Sequence, residues 1–156
     1  MLREFVILLA LASPSVVYSQ SQLAPNSPQD KPIGVNADQH QKLVQAVAPS
    51  VAQAKKTWPS AKAKFLKGLP PKNVFFVTVE LADIRGKREI TFVEVQKIDK
   101  GAITGIIANE ITTVIGFKAG QVYSVNEADI WDWMISKPDG SEEGNLVGKF
   151  LETYKP

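Results

Sequence analysis

The chain has 156 residues, 18 basic and 16 acidic side chains, and a formal net charge of +2, so strong whole-molecule attraction to nucleic acid or to an anionic membrane surface is not implied. The absence of cysteine excludes disulfides, thiol catalysis and cysteine-ligated zinc. His40 is the single histidine, which leaves no material for a histidine-rich metal site or a Ser-His-Asp triad. We therefore expect neither a metal nor a cofactor, and no nucleic-acid partner.

The first 19 residues have the organisation of a secretory signal peptide, with Arg3 as the basic region, residues 5–12 as the apolar region and a cleavage site after Ser19. As a helix, residues 5–12 span about 12 Å, far short of the roughly 30 Å hydrocarbon core of a bilayer. An uncleaved anchor that continues through Val17 is the alternative, but Pro14 and its neighbouring serines interrupt it. The sequence predicts an exported protein, periplasmic or secreted, with no stable membrane insertion after cleavage.

Residues 20–36 are rich in Gln, Ser, Pro and Asn and predict a flexible leader, whereas residues 37–156 have the composition of a single domain. Asp38, with Gln41 three residues on, has the pattern of a capping box that opens a helix. The apolar residues that follow recur at alternating steps of three and four and predict one buried helical face: Val44, Val47, Val51, Ala54, Trp58, Ala61 and Phe65. Pro49 and Pro59 interrupt this pattern, so we expect two consecutive helices or one kinked helix.

The middle of the chain reads as a series of short strands separated by tight turns. The predicted strands are residues 74–81, 90–95, 103–108, 112–116 and 121–125. The second strand has apolar residues on both faces, so it is either buried on both sides or carries a bulge. Residues 130–134 form a helical turn or a strand, residues 138–144 a loop, and residues 146–154 a short helix. The predicted fold is α+β, with N-terminal helices packed on a strongly bent antiparallel sheet of about five strands and a short C-terminal helix.

Two polar segments are candidate sites. The first is Asn109-Glu110 at the end of the third strand, where Glu110 can serve as a general acid or structurally as a backbone acceptor. The second contains Asp129, Trp131 and Asp132, where an aromatic ring beside carboxylates suits a sugar or a cationic peptide. The structural alternative for this segment is a core tryptophan and a turn-capping aspartate. We expect Trp133 to be buried and Trp131 to be partly exposed.

Several short motifs follow one another in fixed order: Phe92-Val93-Glu94-Val95, Ile103-Thr104-Gly105, Asn109-Glu110, Lys118-Ala119-Gly120 and Asp132-Trp133-Met134. In this order they resemble the bacterial family catalogued as domain of unknown function 2314. The resemblance implies an approximate fold and an Asn-Glu-Pro motif in which Ile111 replaces the proline here. It implies no activity, because the family has none established.

The hypothesis drawn from the sequence is an exported, non-enzymatic binding module. Its partner is a protein or a glycan of the bacterial envelope, and its binding residues are Asn109, Glu110, Trp131 and Asp132. The alternative hypothesis is a hydrolase that uses Glu110 with Asp129 or Asp132, because a pair of carboxylates is what glycoside hydrolysis requires.

Overall fold

The computed structural model describes residues 37–155, and the predicted signal peptide and leader lie outside this range. The elements in chain order are α1 (Ala37–Lys67), β1 (Val74–Ala82), β2 (Arg88–Asp99), β3 (Ala102–Ile107), β4 (Val122–Asn126), β5 (Asp132–Ser136), β6 (Glu142–Gly144) and α2 (Leu146–Thr153). A short 3-10 helix, Glu127–Asp129, precedes β5. The α+β class and the short C-terminal helix are therefore confirmed.

Helix α1 is one continuous element of 31 residues that includes Pro49 and Pro59, so of the two predicted alternatives a single helix is observed rather than two consecutive ones. Both prolines are exposed, which keeps their rings away from the packed face. The predicted apolar stripe packs inward along most of its length, with Val47, Ala54 and Ala61 fully buried. Val44 is the exception: it is 38% exposed, and the neighbouring Leu43 takes the inward position instead.

Within the described residues, six strands form one antiparallel sheet in the order β4-β3-β2-β1-β5-β6. The sheet is open and has six strands rather than about five. Residues 112–116 are not a strand, because the backbone N–H groups of residues 112–115 bond to the side chains of Glu89 and Asp83 instead of a neighbouring strand. Strand β5 resolves the ambiguity at residues 130–134, and β6 lies in the segment that was predicted to be a loop.

The two faces of the sheet carry different clusters. Phe75, Val77 and Val93 belong to the large core, which also contains Trp58 of α1. Phe76, Phe92, Ala108 and Met134 form a smaller cluster on the opposite face. Strand β2 is thus buried on both sides at Phe92 and Val93, as one alternative predicted. It also carries a register shift, which lies between Val95 and Lys97.

Polar contacts fasten α1 to the segment that leads into β5. The indole N–H of Trp58 donates to the Glu127 carboxylate at 3.0 Å, and the ammonium of Lys62 donates to the same carboxylate at 2.5 Å. The indole N–H of Trp133 donates to the hydroxyl of Thr57 at 3.0 Å. Both tryptophans therefore bury their rings while their N–H groups are satisfied. Trp133 is buried and Trp131 is half-buried, as expected from the sequence.

Candidate functional site

The longest connection in the sheet, residues 108–121 between β3 and β4, is a compact Ω-loop. Its ends are held together by two backbone bonds of 2.9 Å, from Ile107 N–H to the Gln121 carbonyl and from Gly120 N–H to the Ile107 carbonyl. Its apolar side chains pack onto the large core: Ile111, Val114 and Phe117. Loops of this type frequently carry function, because a fixed scaffold presents an irregular surface.

The carboxylate of Glu89 holds the first half of the Ω-loop through hydrogen bonds to its backbone. Glu89 lies on β2 and is only 3% exposed. It accepts the backbone N–H groups of Thr112 at 3.0 Å, Thr113 at 2.7 Å and Val114 at 3.1 Å. Consecutive N–H groups of this kind form a nest that attracts anions, and here the anion is the protein's own side chain. The nest is therefore filled internally and stiffens the loop.

A second enclosed carboxylate, that of Asp83, joins the Ω-loop to the β1–β2 hairpin tip (residues 83–87). It accepts N–H groups from Arg85 at 2.8 Å, Lys87 at 3.0 Å and, across the gap, Ile115 at 3.1 Å. The Arg85 guanidinium bonds Asp83 and also the Thr113 carbonyl at 2.9 Å. Burial by itself raises the pKa of Asp83, but the donors from Ile115, Arg85 and Lys87 outweigh it and lower the pKa from 3.8 to about 2. The carboxylate stays ionised and locks the two segments together.

The hairpin tip and the Ω-loop, which Asp83 joins, expose two isoleucines to solvent. Ile84, in the hairpin tip, is 96% exposed, and Ile115 in the Ω-loop is 49% exposed. The two isoleucines lie on segments that one hydrogen bond joins, from the Ile115 N–H to the carboxylate of Asp83, the residue before Ile84. We refer to the exposed surface of residues 83–87 and 109–117 as the tip surface. Its arrangement is suited to binding, because the apolar groups are exposed on a backbone that is already fixed.

Asn109 and Glu110 both lie in the Ω-loop, but only one of them is accessible. Asn109 is buried, and its side-chain carbonyl accepts the Phe92 N–H at 3.0 Å, which extends the β2–β3 ladder where β3 ends. Glu110 is exposed at the edge of the tip surface. The two predicted residues thus have different roles: Asn109 shapes the loop, and Glu110 is available to a partner.

Asp132 is enclosed rather than accessible. It is 1% exposed, and its two oxygens accept the N–H groups of Trp133 at 2.7 Å and of Val147 at 2.6 Å. Val147 is in the first turn of α2, so Asp132 caps that helix from a distant part of the sequence. Burial raises the pKa of Asp132 to about 6, and the hydrogen bonds from Val147, Trp133 and Leu146 only partly oppose it.

The sheet order separates Glu110 from Asp132. The Ala108 N–H donates to the Phe92 carbonyl, Phe92 lies opposite Thr78, and Thr78 lies opposite Asp132. Because neighbouring strands are about 4.8 Å apart, β3, after which the Ω-loop carries Glu110, and β5, which carries Asp132, are separated by about 14 Å. Glycosidase pairs lie roughly 5 to 10 Å apart. The structure therefore does not bring these two residues together in the geometry of such a pair.

Asp129 and Trp131 lie in the segment that connects β4 to β5, with Asp129 near the end of β4 and Trp131 beside β1. Asp129 is exposed and accepts a hydrogen bond from the Asn126 amide at 3.3 Å. The backbone N–H of Trp131 donates to the Thr78 carbonyl at 2.9 Å, which leaves the half-exposed indole beside β1. The predicted site is thus divided between two places, with Glu110 at the tip surface and Trp131 near the start of β5.

A shallow groove of about 340 Å³ lies between α1 and the β5–β6 corner. Its lining residues are Gln53, Thr57, Ser60, Trp133, Glu143, Gly144 and Leu146. The Trp133 indole N–H is bonded to Thr57, and Glu143 is paired with Lys64. These polar groups are already engaged, so the groove has weaker recognition chemistry than the tip surface.

Sequence reasoning missed Asp83, Ile84, Glu89 and Ile115. Two signals were present. An isoleucine inside a charged turn is unusual, because nothing in a tight turn buries it. Glu89 lies four residues before Val93 and therefore on the same face of the predicted strand, and an acid at a core-facing strand position needs backbone donors.

Together, the fold and the tip surface define a small α+β domain with a rigid, exposed loop assembly. Among residues 37–155, no cluster of His, Cys, Asp and Glu is arranged to hold a metal ion, and no helix is long and apolar enough to cross a membrane. A family model for uncharacterized proteins conserved in bacteria, DUF2314, matches residues 41–151, and the chain belongs to this family. No curated protein and no solved structure matches the chain.

Proposed function

We propose that the chain is an exported protein-binding module that engages its partner through the tip surface. The observation that carries this proposal is Ile84, which is 96% exposed on a turn whose backbone is fixed by Asp83. Single exposed apolar residues are common on protein surfaces. Ile84 differs because a second exposed isoleucine, Ile115, lies on a segment that the same Asp83 carboxylate holds.

Rigidity supports binding because ordering a loop on association costs free energy. The cost is roughly 0.5 to 1.5 kcal/mol for each side chain that must be immobilised, and flexible backbone adds to it. Here the N–H groups of residues 112–115 already bond to Glu89 and Asp83. Most of the ordering has thus occurred during folding, and a partner gains apolar contact with little further loss of freedom.

The chemistry of the surface favours a protein over a glycan. Glycan sites commonly use an exposed aromatic ring, whereas the aromatic ring of the Ω-loop, Phe117, packs against Tyr123 and the core. Arg85 is already paired with Asp83, whereas Lys87 and Glu110 are exposed on the same surface. The partner is therefore a protein with an apolar depression that accepts Ile84 and Ile115, with polar groups beside it that meet Lys87 and Glu110.

The hydrolase alternative has less support. Asp132 is enclosed and caps α2, and two strands separate it from the Ω-loop that carries Glu110. Asp129 is an exposed residue of the turn before β5. A binding role requires only an accessible apolar surface, which the tip provides.

Site-specific photo-crosslinking tests the proposal. A photo-reactive side chain is placed at Ile84 in the full chain, expressed in its own bacterium, and illuminated in intact cells. Leu66 is the matched control, because it is a large apolar residue of α1 that is 59% exposed and distant from the tip in sequence. We expect a discrete adduct with one protein at position 84 and none at position 66. The absence of an adduct at position 84, or the same adducts at both positions, would contradict the proposal.

A further inference from the structure

The two edges of the sheet are unlike each other. The β6 edge consists of three residues, two of them acidic, Glu142 and Glu143. Short length and charge are the usual means by which an edge strand avoids pairing with another chain. The β4 edge has five residues, Val122-Tyr123-Ser124-Val125-Asn126, with neither a charge nor a proline. It therefore lacks the protection that β6 has.

The outer side of β4 is open to pairing. In the part of the chain that the structure describes, β4 pairs with β3 alone and ends the sheet. Its even-numbered side chains are exposed, including Val122 at 63%. The composition of β4 favours strands, since valine and tyrosine fit a pleated surface. A second strand can add to this edge without moving any residue of the core.

We infer that this edge pairs with the same edge of a second copy, which gives a symmetric dimer with a continuous sheet. An antiparallel pair centred on Ser124 places Ser124 opposite its own copy. It places Val122 opposite Asn126, and Tyr123 opposite Val125. Pairs of an aromatic with a β-branched residue are favourable across antiparallel strands. Because β4 has no charged side chain, self-pairing brings no like charges together, and the strand is complementary to itself when reversed.

The residues that flank β4 are also compatible with this pairing. In the same register, Gln121 faces Glu127 of the second copy. The Glu127 carboxylate is already bonded by Trp58 and Lys62 of its own chain, so it does not repel the approaching strand. An interface of this size is small, and the dimer is therefore weak and concentration-dependent.

Charge substitution at Ser124 tests the inference. Ser124 is exposed and its hydroxyl bonds only to that of Thr104, so its replacement leaves the core intact. We expect sedimentation velocity of the secreted form of the full chain to show reversible dimerisation. Ser124→Lys and Ser124→Glu, each alone, should weaken it about five- to tenfold, because like charges then face each other. An equimolar mixture of the two variants should restore association, and Ser124→Thr should keep it.

Three results would overturn the inference. The first is a wild-type chain that remains monomeric up to about 1 mM. A dissociation constant of about 1 mM corresponds to an association free energy of only about 4 kcal/mol. The second is dimerisation that Ser124→Lys leaves unchanged, which would place the interface elsewhere. The third is a mixture of the two charged variants that associates no better than either alone. Melting temperatures near that of the wild type confirm that the variants are folded.

Discussion

The carboxylate of Asp83 accepts the backbone N–H of Ile115 across the gap between the hairpin tip and the Ω-loop, at 3.1 Å. This bond joins the two segments that carry the exposed isoleucines. Replacement of Asp83 by alanine removes the acceptor and its pairing with Arg85. We expect the amide hydrogen of Ile115 to exchange faster in Asp83→Ala, while core amides such as that of Val93 keep their protection. Asp99→Ala, at an exposed carboxylate paired with Lys97, is the control and should leave Ile115 unchanged.

The same bond gives a pH dependence with a defined sign. The pKa of Asp83 is lowered to about 2 in the folded chain. The contribution of this carboxylate to stability is therefore present above about pH 4 and is lost as the pH falls toward 2. The amide shift of Ile115 should therefore titrate with a midpoint near pH 2. A midpoint near 4 would show that the carboxylate lacks these bonds in solution.

Trp58 tests whether the apolar stripe of α1 forms the core. Its ring is buried against Phe75, at a centroid distance of 6.0 Å. Trp58→Ala should lower the free energy of unfolding by about 3 to 5 kcal/mol, as large-to-small core substitutions do. Val44→Ala, at the stripe position that proved exposed, should change it by less than about 1 kcal/mol. Equal losses in the two variants, measured by urea denaturation, would mean that the stripe is not packed as described.

Substitutions of the two neighbouring tryptophans, Trp131 and Trp133, should differ in their effects on stability and on partner binding. Trp133 is buried and stacked on Phe75, whereas Trp131 is half-exposed. Trp133→Ala should lower the free energy of unfolding by about 3 to 5 kcal/mol, and Trp131→Ala should lower it by distinctly less. If Trp131→Ala abolished partner capture while Ile84 variants did not, the binding site would lie at the start of β5.

Asp132 should make stability fall as the pH rises. Its pKa is about 6 in the folded chain, against 3.8 for an unperturbed aspartate, so its contribution is fully present below about pH 4 and is lost as the pH rises through 6. The difference corresponds to about 3 kcal/mol. Asp132→Asn cannot titrate and serves as the reference.

The measurement is the free energy of unfolding of both proteins between pH 4 and pH 7. The wild type should lose up to about 3 kcal/mol relative to Asp132→Asn over this range. A constant difference would show that the N–H donors of Trp133 and Val147 balance the cost of burial. If the wild type instead gained free energy of unfolding relative to Asp132→Asn as the pH rose, these N–H donors would exceed the cost of burial.

Local pattern predicted the parts of the fold that depend on local chemistry. The predicted strand at residues 74–81 is β1, in which Phe75 and Val77 share the core face, and the predicted tight turn after β2 is Lys100-Gly101, with the positive φ values, 47 and 82°, of a two-residue hairpin. The error at residues 112–116 has a physical cause. An apolar run there satisfies its backbone through Glu89 and Asp83, which are distant in sequence, and no local pattern reports such a bond.

The candidate site was only partly predictable for the same reason. Asn109, Glu110 and Asp132 stand out in the sequence as polar residues next to apolar strands. Burial of Asp132 depends on α2, which is 15 residues away along the chain. Exposure of Ile84 follows from its place in the hairpin tip, where no other part of the described chain covers it. Residue type therefore indicated chemistry, and only tertiary contacts decided which groups face solvent.

The central claim, recognition through the tip surface, is tested most directly by Ile84→Glu with Leu66→Glu as its matched control. Both residues are exposed, so neither substitution should change the free energy of unfolding by more than about 0.5 kcal/mol. The partner identified by cross-linking at position 84 is titrated into each variant, and binding is measured by isothermal titration calorimetry. The account predicts that Ile84→Glu loses binding while Leu66→Glu binds as the wild type does. Wild-type affinity in a folded Ile84→Glu would contradict it.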